Sequence, residues 1–268
     1  MVHNDMNAGL TNEEMAKVFE EWNATELKSY LISITIDILR KKDCDIEGLA
    51  PQEGYLVDKM TVKESTEKSI ATPTIATSLY QRFIAADKDF RMTAKVFAGP
   101  KFDWSKIQRD QLVADVKSAL YCSKICSYAQ GMNLIKKASE EFGWGINLAE
   151  CARIWEGGCI IQAKFLDDIR NAFEADPKLS SIIFAPLFRD ALIKNQSGWR
   201  RIVTLSIASG ITCPAFAESL AYFDTSRRQK LPANLIQSQR DYFGGHTFER
   251  VDQPRDKFFH CRWTENHA

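Results

Sequence analysis

The sequence predicts an all-α fold, a large helical domain that ends in an extended C-terminal tail. Three observations predict it. Apolar residues recur at helical spacing over most of the 268 residues. No run alternates with period two over a useful length. Capping residues and prolines stand where helices would begin. Long helices joined by short connections make a bundle-like domain.

The elements follow in chain order. Thr11 to Glu14 is a T-x-x-E capping box, and Met15, Val18, Phe19 and Trp22 then recur at helical spacing. A second helix is expected to start near Asn23, with Glu26 three residues on, and to carry Leu27, Tyr30, Leu31, Ile34 and Ile38. Residues 43–70 are polar, contain Gly48, Pro51 and Gly54, and read as an irregular connection. "TPTIATSLYQRFIAA" resumes a helix after Pro73, and Gly99 and Pro100 mark a turn. The longest pattern runs from Ser105 to Phe142. Asn147 caps another helix carrying Ala152 and Trp155, which Gly157 and Gly158 interrupt. Pro186 suits a first helical turn, and a helical run from Trp199 to Ala208 stops at Gly210. Pro214 opens one more helix, ending near Phe223, and Pro232 opens the last, ending near Phe243. Residues 1–243 thus form the helical domain and 244–268 the tail. The tail is either disordered or docked; Phe248, Phe258, Phe259 and Trp263 favour docking.

Composition narrows the function. Lys plus Arg and Asp plus Glu both number 35, so the formal charge is zero. That argues against nucleic-acid or membrane-surface partners. No apolar run is long enough to cross a membrane, and no secretory signal opens the chain. The seven cysteines are odd in number and form no C-x-x-C, which suits buried thiols in a reducing compartment and no metal site.

One stretch, "LPANLIQSQRDYFGGHTFER", raises a chemical question. Arg240 and His246 flank the pair Gly244 and Gly245. A guanidinium and an imidazole so close suit a phosphate or carboxylate ligand. A surface Arg and a turn His at a helix end are the plainer reading of this stretch alone.

Five segments carry a family resemblance: "YCSKICSYAQGMNLI", "IWEGGCIIQAKFL", "SGWRRIVTLSIASGITCPAF", "LPANLIQSQRDYFGGHTF" and "HCRWT". They resemble the C-terminal domain of 6-phosphogluconate dehydrogenase, and the likeness runs from Met1 to Thr264. It implies a large all-helical domain and a homodimer in which the tail reaches into the other subunit. It implies oxidative decarboxylation of 6-phosphogluconate to ribulose 5-phosphate with NADP, in the cytoplasm or alternatively a plastid. By the same resemblance, Arg240 and His246 are lent to the neighbouring subunit's substrate site. Arg82 resembles a second phosphate-binding arginine, and Ile160 and Ile161 line the substrate pocket. His3 and Asn4 match the end of a K-x-x-H-N motif.

Departures from the family pattern set a second group of expectations. No G-x-G-x-x-G dinucleotide fingerprint occurs. The general-base Lys would stand before Met1, and the segment with the general-acid Glu and a phosphate-binding Tyr is missing. No catalytic residue is therefore assigned. The loop D-K-x-G-x-K-G-T-G-K-W-T aligns without a gap to Asp58–Ser69. Glu67 then replaces the phosphate Lys, Ser69 replaces the Thr, and Lys68 is left to compensate. Glu156 and Gln162 replace arginines. The expectation is a chain inactive alone that does not hold NADP stably. The alternative is a catalytically dead paralogue, acting as a dimerising interaction or regulatory protein.

Overall fold

The computed structural model describes residues 9–41 and 59–263. Among them, eleven α-helices hold almost all the regular structure. They fall into two compact units that divide at Tyr222 and Phe223, upstream of the expected boundary at residue 243.

The first unit begins with α1 (Asn12–Asn23). Its capping box is complete, with Thr11 and Glu14 each satisfying the other's backbone N–H. The next helix, α2 (Tyr30–Arg40), starts seven residues later than the sequence suggests. Asn23 does not cap it. Its side-chain oxygen instead accepts from the Ser29 N–H at 3.1 Å, closing the turn, and Ser29 becomes the cap.

A second correction concerns residues 43–70. The part from 43 to 58 lies outside the described residues, but Met60–Glu67 is a helix, α3. Polar composition hid it, because its only buried helical residue is Ser65. A helix at this point is not the glycine loop of the ungapped alignment. Lys68 is not available to compensate either. It is buried, 3.3 Å from Glu141 and 4.1 Å over the Phe142 ring.

Further along come α4 (Pro73–Ala86) and the short α5 (Lys88–Thr93). The long α6 spans Arg109–Phe142; the expected start at Ser105 falls in a separate 3-10 turn, Trp104–Lys106. Asn147 caps α7 (Leu148–Glu156) as expected, accepting from Ala149 and Glu150. After α8 (Phe165–Ala175), one helix, α9 (Pro186–Ser209), joins the separate Pro186 and Trp199–Ala208 signals. Pro214 then opens α10 (Pro214–Ser226), which runs across the division between the units.

The core of this unit sits between α6 and α9. Ala119, Cys122, Ile125, Cys126 and Ala129 on α6 are fully buried. Their small side chains let α9 come close. At Gly198 the approach is so tight that a Cβ would lie 2.9 Å from Asp115 Oδ1. Asp115, itself buried, takes two bonds from Arg201, at 2.6 and 2.7 Å. Phe165 gathers Tyr121, Tyr128 and Phe188 around it, with ring centroids 6.2, 5.1 and 5.0 Å away.

The second unit contains α11 (Ala233–Gly244) and the tail. The tail holds a minimal antiparallel pair, β1 (Phe248–Glu249) with β2 (Phe258–Phe259). It is therefore folded on its own unit as far as Trp263. Its organiser is Asp241, which is fully buried. One carboxylate oxygen accepts from the Thr247 N–H and His260 Nδ1, both at 2.9 Å. The other accepts from the Cys261 N–H at 3.0 Å and Trp263 Nε1 at 2.9 Å. Since an ionised carboxylate only accepts, His260 Nδ1 carries the proton in that contact.

Candidate functional site

The first unit holds a cavity of about 420 Å³ against α6. Leu120, Ser123, Lys124, Ser127 and Tyr128 stand at helical spacing and form one wall. Ile160 and Ile161 close the opposite wall. Tyr128 fastens the two by donating its hydroxyl to the Ile161 carbonyl at 3.0 Å. The start of α2 is fastened to the same segment, with Tyr30 N–H on the Gln162 carbonyl and Lys164 N–H on the Lys28 carbonyl.

Electrostatics make this cavity unusual. Burial pushes the Lys124 ammonium down to about 8, a shift that Asp168 partly offsets. Tyr128 is pushed up to about 12, first by burial and then by Cys159. Both shifts have one physical origin, the cost of holding charge where water is excluded.

The second unit presents Arg240 and His246, both exposed, around the end of α11. Gly245 ends the helix at φ +59°, a left-handed conformation that favours glycine. A Cβ on Gly244 would lie 2.6 Å from His246 Nε2, so only glycine lets the ring fold against the backbone there. The Phe243 ring meets the imidazole edge-on, with centroids 5.8 Å apart. Arg240 makes no ion pair among the described residues. Asp241, between them in sequence, fixes this end. Burial pushes its carboxyl up, but the bonds from Cys261, His260, Trp263 and Thr247 outweigh that and hold it far below the usual carboxylate range.

The remaining sequence-expected residues are scattered. Ile160 lines the α6 cavity and is largely exposed. Arg82 is an exposed residue of α4, and neither it nor Ser69 lines that cavity. Ser69 is exposed just past α3 at φ +54°. His3 and Asn4 lie outside the described residues. Glu156 turns toward Arg170, 3.5 Å away, and one of its buried oxygens has no hydrogen-bond partner.

Sequence reasoning missed three groups. Lys124 and Ser123 lay within a quoted apolar segment, and the signal was there: a lone cation on a helix face otherwise buried. Asp241 gave no signal, since its donors lie up to 22 residues away along the chain.

The described residues do not fit a dinucleotide, because the two strands are two residues each and belong to one hairpin, with no strand–glycine turn–helix unit. Among the described residues there is no cluster of three metal-ligating side chains, and no helix is long and apolar enough to cross a membrane.

Comparison with known proteins gives a consistent result. A family model described as 6-phosphogluconate dehydrogenase, C-terminal domain, matches residues 3–263. A chloroplastic decarboxylating 6-phosphogluconate dehydrogenase of Spinacia oleracea is 47% identical over 276 residues, covering 96% of this chain and 50% of that protein. Another from the same plant is 49% identical over 271 residues, covering 95% and 54%. The Plasmodium falciparum 6-phosphogluconate dehydrogenase, solved in apo form, with its cofactor NADP+ and with its substrate 6-phosphogluconate, superposes with a TM-score of 0.86. It is 39% identical, and the match covers 95% of this chain and 56% of that one. The chain spans about half the length of the curated relatives it matches.

Proposed function

Because this chain belongs to the 6-phosphogluconate dehydrogenase family and corresponds to its C-terminal domain, we propose that it supplies the substrate-phosphate groups of such an enzyme and carries out no chemistry alone. One observation carries the reading. Arg240 and His246 stand exposed and, among the described residues, without a carboxylate partner, on a helix end that the buried Asp241 makes rigid. A guanidinium can hold a phosphate through two parallel N–H bonds, and the imidazole can add a third donor. Gly244 and Gly245 let both groups serve one ligand.

In this reading Arg240 binds and orients the phosphate of 6-phosphogluconate, and His246 donates to it. Arg82 belongs to the same phosphate site, contributed by the other chain of a homodimer in which the tail docks on its partner. Phe258 and Val251, both strongly exposed in the tail, favour such docking. Ile160 would border the sugar acid, with His3 and Asn4 beside it. Ser69 contributes least, because α3 stands where a glycine loop would lead into it. NADP, where the reaction uses it, would be held by other residues than those described.

The non-catalytic alternative draws on the same helix. Exposed Glu67 on α3 offers a phosphate only repulsion, and an interaction protein would have no need of a phosphate loop there.

The test is an absorbance assay for NADPH with the purified chain, NADP and 6-phosphogluconate. No reduction above the blank is expected. Turnover that Arg240→Ala abolishes would overturn the reading of an inactive half.

A further inference from the structure

The polar groups around the α6 cavity can be accounted for one by one. Ser29 Oγ accepts from the Ile32 N–H. Thr74 is saturated by Gln130 and Ser219, at 2.9 and 3.0 Å. Ser78 and Ser127 bond backbone carbonyls one helical turn back, and Tyr128 bonds Ile161. Gln162 stands at the exposed rim. Two groups remain. Ser123 Oγ is buried with no hydrogen-bond partner, and Ser123 as a residue is only 6% exposed. Lys124 Nζ makes no ion pair among the described residues and lies only over the Phe165 ring, 5.1 Å away.

An unpaired buried hydroxyl and an unpaired cation are each costly, and the two are adjacent in sequence and line the same cavity. Both are unsatisfied donors on the wall of that cavity. No acidic side chain lines the cavity, so its net charge is positive. The rest of the wall is aliphatic or aromatic, including Leu31, Ile161 and Phe216.

We propose that this cavity binds a monocarboxylate with an apolar body, held at its head by Lys124 Nζ and Ser123 Oγ. The volume of about 420 Å³ lies within the range of small-molecule sites. A carboxylate there offers two acceptor oxygens for the two free donors, and it restores to Lys124 the charge that burial disfavours. The apolar body gains from the remaining wall. A polyhydroxylated ligand is disfavoured, because beyond the Ser29 hydroxyl hydrogen and the rim amide of Gln162 the other polar groups of the wall are committed, too few to pair several ligand hydroxyls. The inference shares with the proposed function only Ile160, which is 70% exposed at the cavity wall, and it does not rest on Arg240 or His246, which carry the phosphate reading.

Octanoate is a suitable probe, titrated calorimetrically into the full chain. Saturable binding at millimolar concentration or better is expected. 1-Octanol, which keeps the tail and loses the charge, should bind at least about 10-fold more weakly. Lys124→Met should lower octanoate affinity by about 10-fold or more, and Ser123→Ala by about 3- to 10-fold. Circular dichroism and a melting curve confirm that each variant is folded. Absence of octanoate saturation, equal affinity for octanol, or unchanged affinity in folded Lys124→Met would each overturn the proposal. If Lys124→Met does not fold, the octanoate–octanol comparison decides alone.

Discussion

The α6–α9 core and the α11 tail unit are held together by opposite means. Between α6 and α9, stability comes from many small contacts among buried Ala, Cys, Ile, Phe and Trp side chains, and losing any one group leaves the others in place. In the tail, one buried carboxylate receives four donors from two separate segments, Thr247 and His260–Trp263. Little apolar area backs it, and Phe258 is mostly exposed. The difference teaches where each region can fail. The core should lose stability in proportion to the volume removed. The tail should come apart when a single charge is removed, because its donors then face a poorer acceptor in a dry site.

That contrast can be broken in order of expected effect. Phe188→Ala removes a fully buried ring packed 5.0 Å from Phe165. It should lower unfolding free energy by roughly 3–5 kcal/mol in urea titration. Asp241→Asn should instead leave the main urea transition nearly unmoved. Hydrogen-exchange protection of the Thr247 and Cys261 amides should fall by about 10- to 100-fold. If the main transition shifts as far as in Phe188→Ala, the two regions are not separable. Acid sharpens the same point. The Asp241 carboxyl is held below its ordinary value, so its stabilisation is complete above the unfolded value of about 4 and is lost as pH falls toward the folded one. Exchange protection in the tail should therefore fail only in strong acid.

Smaller effects test the core further. Gly198→Ala gains helix propensity but drives a Cβ to within 2.9 Å of Asp115 Oδ1 and 3.1 Å of Ser118 Cβ. A net loss of about 1–2 kcal/mol is expected in the same urea assay. A stabilised variant would show the α6–α9 contact to be looser than described. Lys124→Met should raise the melting temperature slightly at neutral pH. The folded chain gives up that proton near pH 8, whereas the unfolded chain keeps it to about 10.4. Wild-type stability should gain from this group between those values, and the variant should lack that gain.

The sequence made the first of these regions legible and concealed the second. Periodic apolar residues and caps reveal α1, α4, α6, α7 and α10, because their stabilising contacts repeat every three or four residues. The end of α6 at Gly143 and the Asn147 cap follow from local chemistry. The start of α2 did not, since Asn23 bonds forward to Ser29 across a turn rather than down a helix. Helix α3 was hidden by polar composition, and reading Asp58–Ser69 as an altered loop followed from that. Of the candidate site, Arg240 and His246 were legible as a possible anion-binding pair beside a plainer surface reading, and Ile160 came only through family resemblance. Asp241 depends on contacts that close in three dimensions, which no local pattern encodes, whereas the Ser123–Lys124 pair left a trace in the lone cation on an otherwise buried helix face.

In the proposed function the tail unit presents Arg240 and His246 rigidly to a phosphate. Calorimetric titration of 6-phosphogluconate at low salt, into the wild-type chain and Arg240→Met, tests it most directly. Weak, salt-sensitive binding that the substitution lowers by about 10-fold is the expected result. Identical titrations of the two proteins would contradict it.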